Sequence, residues 1–245
     1  MKEPGRFQRG FSHYLFELIV IVSGITFSFF LNEWRQERRG NEAMRMDLVA
    51  IQRNLESDRE EIAELLEKHA QGVKALGDLL AYEAGEGDPS EFSKTVADSL
   101  HTAISFYPDV GARNAMVASG NVRWLQDPAL ASALSDYYDH MVPRVLDNNR
   151  AMNDLIVTDL LPWIGGLYPH EGTIEEWEQN FPIDIVKAPS FRQRIGGNIP
   201  HANWYLELLT RSEKKVETAL ERIAAHLQQE GSASEAPSSA AESGA

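Results

Sequence analysis

The sequence predicts an all-α protein, an N-terminal transmembrane helix followed by a domain built as a bundle of long helices. Three observations lead there. One apolar run, Tyr14–Trp34, is long enough to cross a bilayer. Two later stretches carry apolar residues in alternating steps of 4 and 3, the period of a helix face. No alternating strand pattern of any length is visible.

The run comes first. From Leu15 to Leu31 nearly every residue is Leu, Ile, Val or Phe, with Glu17, Ser23, Thr26 and Ser28 as the polar exceptions. About 20 apolar residues at ~1.5 Å rise each span the ~30 Å hydrocarbon core. Tyr14 and Trp34 stand at the two ends, where amphipathic rings favour the headgroup level. A buried helix of a soluble domain would show a polar stripe. A cleaved signal peptide would be followed by small residues, whereas LNEWRQERR is large and charged. The expectation is an uncleaved signal anchor over residues 14–34, after a basic tail at 1–13. Within it, Gly24 and Ser28 form a small-xxx-small pair that lets two such helices approach closely. Glu17 lies about one turn inside and is assigned with them to helix packing in the membrane, because an ionisable group at depth needs a partner or the interface.

The chain has 245 residues, no cysteine and a net charge of −14. Cysteine chemistry and disulfides are excluded. Residues 1–45 carry seven Lys/Arg against five Asp/Glu, and residues 46–245 carry 16 against 32. An acidic domain repels phosphate backbones, so no nucleic-acid partner is expected. The arginines beside the anchor suit anionic headgroups. The flanks nearly tie on positive charge, but a short basic tail before a long acidic domain favours a cytoplasmic N-terminus. The expected address is the inner membrane of a bacterium, single-pass, with the C-terminal domain periplasmic.

The domain should occupy residues 35–230. Residues 41–83 read as one helix with apolar positions Met44, Leu48, Ile51, Leu55, Ile62, Leu65, Leu76 and Leu79, interrupted by Asp58, His69 and Gly72. Such a stripe is coiled-coil-like, and it equally suits a bundle core. Gly40 is expected to permit a bend between anchor and helix. Asp88-Pro89 should open a helix that runs through about Phe106 to Pro108. A short helix over 110–118 should close at Ser119-Gly120-Asn121, read as a C-cap with a left-handed residue rather than as a ligand turn. Asp127-Pro128 repeats the N-cap signal and opens a helix to about Leu161, kinked at Pro143. Residues 162–189 are irregular, with one short helix behind the box Thr173–Glu176. Ser190 opens the last helix, to about Glu230, with a break at Gly196, Gly197 and Pro200. The small, polar tail 231–245 should be disordered.

The anchor, HYLFELIVIVSGITFSFFLNEW, resembles the start of a family of uncharacterised bacterial membrane proteins, a domain-of-unknown-function family. The matching residues are Tyr14, Leu15, Glu17, Val22, Gly24, Ile25, Asn32 and Trp34. ARNAMVASGNVRWLQDPALASALSDYYD is similar too, at Ala115, Ser119, Gly120, Asn121, Val122, Leu125, Asp127, Leu130, Leu134 and Tyr138. The resemblance implies a single-pass protein with a helical domain, and no activity.

Catalytic candidates are few. The seven histidines form no H-x-x-x-H pattern, no G-x-S-x-G is present, and Glu175, Glu176 and Glu178 read as a first helical turn. No catalytic residue, metal or cofactor is therefore assigned. Arg113, Trp124, Tyr137 and Tyr138 could line a pocket between helices, or serve as ordinary core and rim. The expected function is a non-enzymatic membrane scaffold or interaction protein, bound to the bilayer and to a second copy or a membrane protein partner. The alternative is an extracytoplasmic small-molecule sensor or binding domain acting through a partner.

Overall fold

The computed structural model describes residues 6–83, 104–155 and 189–235, together with the isolated positions Thr95, Thr158 and Pro162. All of its regular elements are helical. They are α1 (Arg6–Glu83), α2 (Gly111–Ala118), a 3-10 turn (Asn121–Trp124), α3 (Pro128–Ser135), a π-helical segment (Asp136–Met141), α4 (Val142–Leu155) and α5 (Pro189–Glu235). The all-α expectation holds. The expected helix behind Pro89, the irregular stretch short of Pro189 and the tail beyond Glu235 lie outside the described residues.

α1 is one helix of 78 residues, about 120 Å long at 1.5 Å per residue. Its N-terminal part is long and apolar enough to cross a membrane, and none of that part is buried against protein. Phe16, Phe27, Phe29 and Phe30 are 67–70% exposed. A core helix of a soluble domain would have covered these rings. The second half of α1 is the opposite case: Leu48, Ile51, Leu55 and Ile62 are fully buried. One continuous hydrogen-bond ladder therefore joins an uncovered apolar rod to a bundle core.

The helix is unbroken across Gly40, where a bend was expected to be permitted. Gly40 is needed for a different reason. The Trp124 indole lies against its backbone, and a Cβ there would stand 2.2 Å from Trp124 Cε2.

α5 runs antiparallel to α1. The Tyr205 ring meets His69 edge-on at 4.8 Å between centroids, while further along α5 His226 faces Asp127, in the loop that Asn121 ties to Asp47 of α1. Residues 104–118 descend towards the anchor: His69 holds Ile104, Asp58 holds Asp109, and Asp47 holds Asn121. The loop 119–127 reverses the chain, and α3, the π segment and α4 climb back beside α5. The loop and the last turns of α5, which continue past His226, together form the anchor-proximal end of the bundle. Leu130, Tyr137, Tyr205, Leu209, Val216, Ala219 and Ile223 fill the space against the α1 stripe.

Local signals explain most boundaries. Gly120 sits at φ 74°, the left-handed conformation that closes α2. Asp127 Oδ1 accepts from the Ala129 and Leu130 N–H groups at 2.8 and 3.1 Å, with Pro128 at the first position of α3. Four expectations change. Residues 104–106, expected to end a helix, are not helical, because the Phe106 backbone is bonded to side chains of α4 and α5 instead. The irregularity expected at Pro143 takes the form of the π turn just before it, which removes the crowding between the proline ring and the preceding turn. α5 is unbroken at Gly196, Gly197 and Pro200; Phe191 before them and Ala202 and Tyr205 after them are all buried, so the helix is held by packing on both sides. Finally, α5 continues past Glu230 to Glu235.

Candidate functional site

Two regions carry features beyond ordinary packing: the anchor face and a polar layer inside the bundle.

On the anchor, Gly24, Ser28 and Asn32 are spaced by four and share one face. With Val20, Ile21, Ile25 and Phe29 they line a shallow groove of about 450 Å³ on a stretch of helix that no other described element covers. Nothing lies within 4 Å of a Cβ built on Gly24. The Ser28 hydroxyl donates to the Gly24 carbonyl at 2.8 Å, so it is satisfied within its own helix and needs no water. Glu17 precedes Gly24 by two turns on the same side of the helix, and is exposed. The three residues expected to pack in the membrane therefore align. Trp34 is exposed, with the Arg38 guanidinium 5.9 Å from its ring centroid. Tyr14 belongs to α1; its side chain lies outside the described ones.

Inside the bundle, the interruptions of the α1 stripe are themselves buried. Asp58 is 2% exposed and His69 is fully buried. Asp58 Oδ2 accepts from the Tyr137 hydroxyl at 2.5 Å, and Oδ1 accepts from the Asp109 N–H at 3.0 Å. Burial dominates these bonds and pushes the carboxyl up to about 6. Tyr138 stacks edge-to-face on Tyr137, with centroids 4.9 Å apart. Its hydroxyl is buried with no hydrogen-bond partner among the described residues. Burial and the nearby Asp58 carboxylate push both phenols well above their usual range.

One layer further from the anchor, His69 Nε2 donates to the Ile104 carbonyl at 2.6 Å. Tyr205 Oη accepts from the Phe106 N–H at 2.7 Å and donates to Asn149 Oδ1 at 3.0 Å, and Asn149 Nδ2 donates to the Phe106 carbonyl at 2.5 Å. Both Phe106 backbone groups are thereby satisfied in a segment with no ladder of its own. These bonds strap residues 104–109 across the bundle.

Of the four residues considered as a pocket, Tyr137, Tyr138 and Arg113 lie together and Trp124 stands apart. Tyr137 meets α1 at Asp58 and Trp124 meets it at Gly40, about 27 Å apart along the axis. Tyr137 and Tyr138 are core. Arg113 forms an ion pair with Asp139 at 3.4 Å. Trp124 is a docking residue, with the Arg123 guanidinium 4.9 Å from its ring centroid. Among the described residues no group of three or more His, Asp or Glu side chains is arranged to hold a metal ion.

Sequence reasoning passed over the polar partners of Asp58 and His69 because both residues read as faults in a stripe. A carboxylate and an imidazole at seam positions were the available signal, since a buried polar group must find a partner. No protein-family model matches the chain, and no curated protein or solved structure matches it either.

Proposed function

We propose that the chain is a single-pass protein of a bacterial inner membrane, with its helical domain on the periplasmic side, acting as a non-enzymatic interaction or scaffold protein that self-associates through its anchor. The observation that carries this reading is the division of labour along α1. The stripe from Met44 to Leu65 is consumed by the chain's own core, and Leu76 and Leu79 beyond it are buried as well, so the stripe is not free to form a coiled coil with another copy. The groove at Gly24 and Ser28 is uncovered and lies on the segment suited to lipid. Small residues that admit a close backbone approach are what drives helix association where lipid removes the hydrophobic effect. The resemblance of residues 14–34 and 115–138 to a family of single-pass proteins agrees with this.

Crosslinking in native membranes tests it, comparing the unaltered chain with Gly24→Leu. The leucine has open space in the monomer, so it disturbs a partner helix and nothing else. A dimer band lost on substitution is the expected result; a monomer in both removes the oligomer. A periplasm-dependent reporter fused after Glu230 tests the address, and a silent but well-expressed fusion places the domain inside.

A sensor is the second reading, and the unpartnered Tyr138 hydroxyl beside Asp58 is what favours it. A thermal-shift screen of the detergent-solubilised protein against polar metabolites would discriminate. Absence of any stabilising compound counts against it.

A further inference from the structure

We infer that the Asn121–Trp124 turn is a second membrane contact, seated on the lipid headgroup layer with the Arg123 guanidinium on headgroup phosphate, so that the bundle rests on the bilayer instead of standing clear of it. The inference rests on the reading of residues 14–34 as a membrane span.

The first support is distance. Gly40 follows Trp34 by six residues of unbroken helix, about 9 Å of rise. A headgroup layer is about 5–7 Å thick on each side of the hydrocarbon. With Trp34 at the hydrocarbon boundary, Gly40 and the indole pressed onto it come about 2–4 Å beyond the outer edge of that layer on an upright helix, a gap shorter than an extended arginine side chain. The second support is rigidity. Trp124 is held against a position with no room for a Cβ, and Asn121 Nδ2 donates to Asp47 Oδ2 at 2.8 Å, so the turn cannot swing away from α1. The third is chemistry. Trp124 carries Arg123 over its face, as Trp34 carries Arg38; indole with guanidinium suits the interface of apolar chain and phosphate. Val122, between Asn121 and Arg123, is an exposed apolar residue, 41% accessible. The fourth is topology: loop 119–127 is where the chain reverses at the anchor end, and only the last turns of α5, which run on past His226 to Glu235, reach the same level among the described residues.

The chain has no cysteine, so single cysteines report cleanly. The full chain would be reconstituted in phosphatidylcholine vesicles with one-third phosphatidylglycerol, carrying a fluorophore at Val122→Cys, Phe27→Cys or Glu60→Cys. Quenching by nitroxide-bearing lipids is then compared, with the nitroxide on the headgroup or on the acyl chain. The expected result is strong headgroup quenching at 122, acyl-chain quenching at 27 and little of either at 60. Adding Arg123→Glu should lower quenching at 122 several-fold and leave 27 unchanged. If 122 behaves as 60 does while 27 is lipid-buried, the contact is overturned and the span survives. If 27 is open to water, the span itself fails and the contact with it. Unchanged quenching at 122 in the Arg123→Glu protein overturns the arginine–phosphate seat.

Discussion

Asp58 is the residue whose environment conflicts most with its chemistry. Its carboxyl has two hydrogen bonds and no cation beside it among the described residues, so at neutral pH it is a buried charge held by a phenol and an amide. The folded state holds its proton up to about pH 6, against 3.8 for the ordinary carboxyl. Between those values the native state binds more protons than the unfolded state, so stability falls as pH rises, and it is level above about 6 and below 3.8. The difference amounts to about 3 kcal/mol. Glu61, also raised by burial, adds in the same direction. Urea unfolding in detergent micelles at pH 4 and pH 7 should show the protein more stable in acid, and Asp58→Asn should flatten that slope. Gly40 gives the opposite lesson, a residue defined by what it lacks. Alanine normally stabilises a helix by ~1 kcal/mol over glycine. Gly77→Ala, with nothing within 4 Å of its Cβ, should show that gain. Gly40→Ala should instead lose about 1–3 kcal/mol, because the added methyl must push the Trp124 ring aside. Thermal unfolding of the two variants, with near-UV dichroism for the indole, checks the pair.

At the scale of elements, the signals that could be read were those whose physics is local. The Gly120 cap and the Asp127–Pro128 start involve groups within a few residues, and both stand as expected. The elements misread were those where a distant partner outvotes the local preference. Phe106 looked helical until Tyr205 and Asn149 claimed its backbone from 99 and 43 residues away. Pro200 looked like a break, yet α5 carries it, with buried anchors at Phe191 before it and at Ala202 and Tyr205 after it. The candidate site divides the same way: Gly24, Ser28 and Glu17 share a face that spacing alone reveals, while the Asp58 layer needs three elements to meet. Pro200 leads to a test. The proline removes the hydrogen bond that residue 200 would give to the Gly196 carbonyl, and its ring is exposed. Pro200→Ala should therefore restore the ladder and stabilise the protein by about 1–3 kcal/mol, read as a raised unfolding midpoint with unchanged helical dichroism in the folded state.

For the whole molecule, the decisive fact is that anchor and core share one helix. A stripe suited to a coiled coil was legible in the sequence. Its consumption by the chain's own bundle was not, because the same period serves both outcomes and only the number of partner helices decides between them. The uninterrupted backbone from Gly24 to Leu48 has an angular consequence. Each residue turns the helix by about 100°, so the orientation of the bundle about the membrane normal is locked to the orientation of the groove. Inserting one alanine between Arg35 and Arg39 should swing the whole domain through roughly 100° relative to the groove, and seven alanines should bring it back to within about 20°. Crosslinks between exposed sites on paired domains, such as Glu60, should vanish and return with that period. The chain is keyed like a shaft: whatever face the groove at Gly24 and Ser28 is turned to dictates the face the bundle presents.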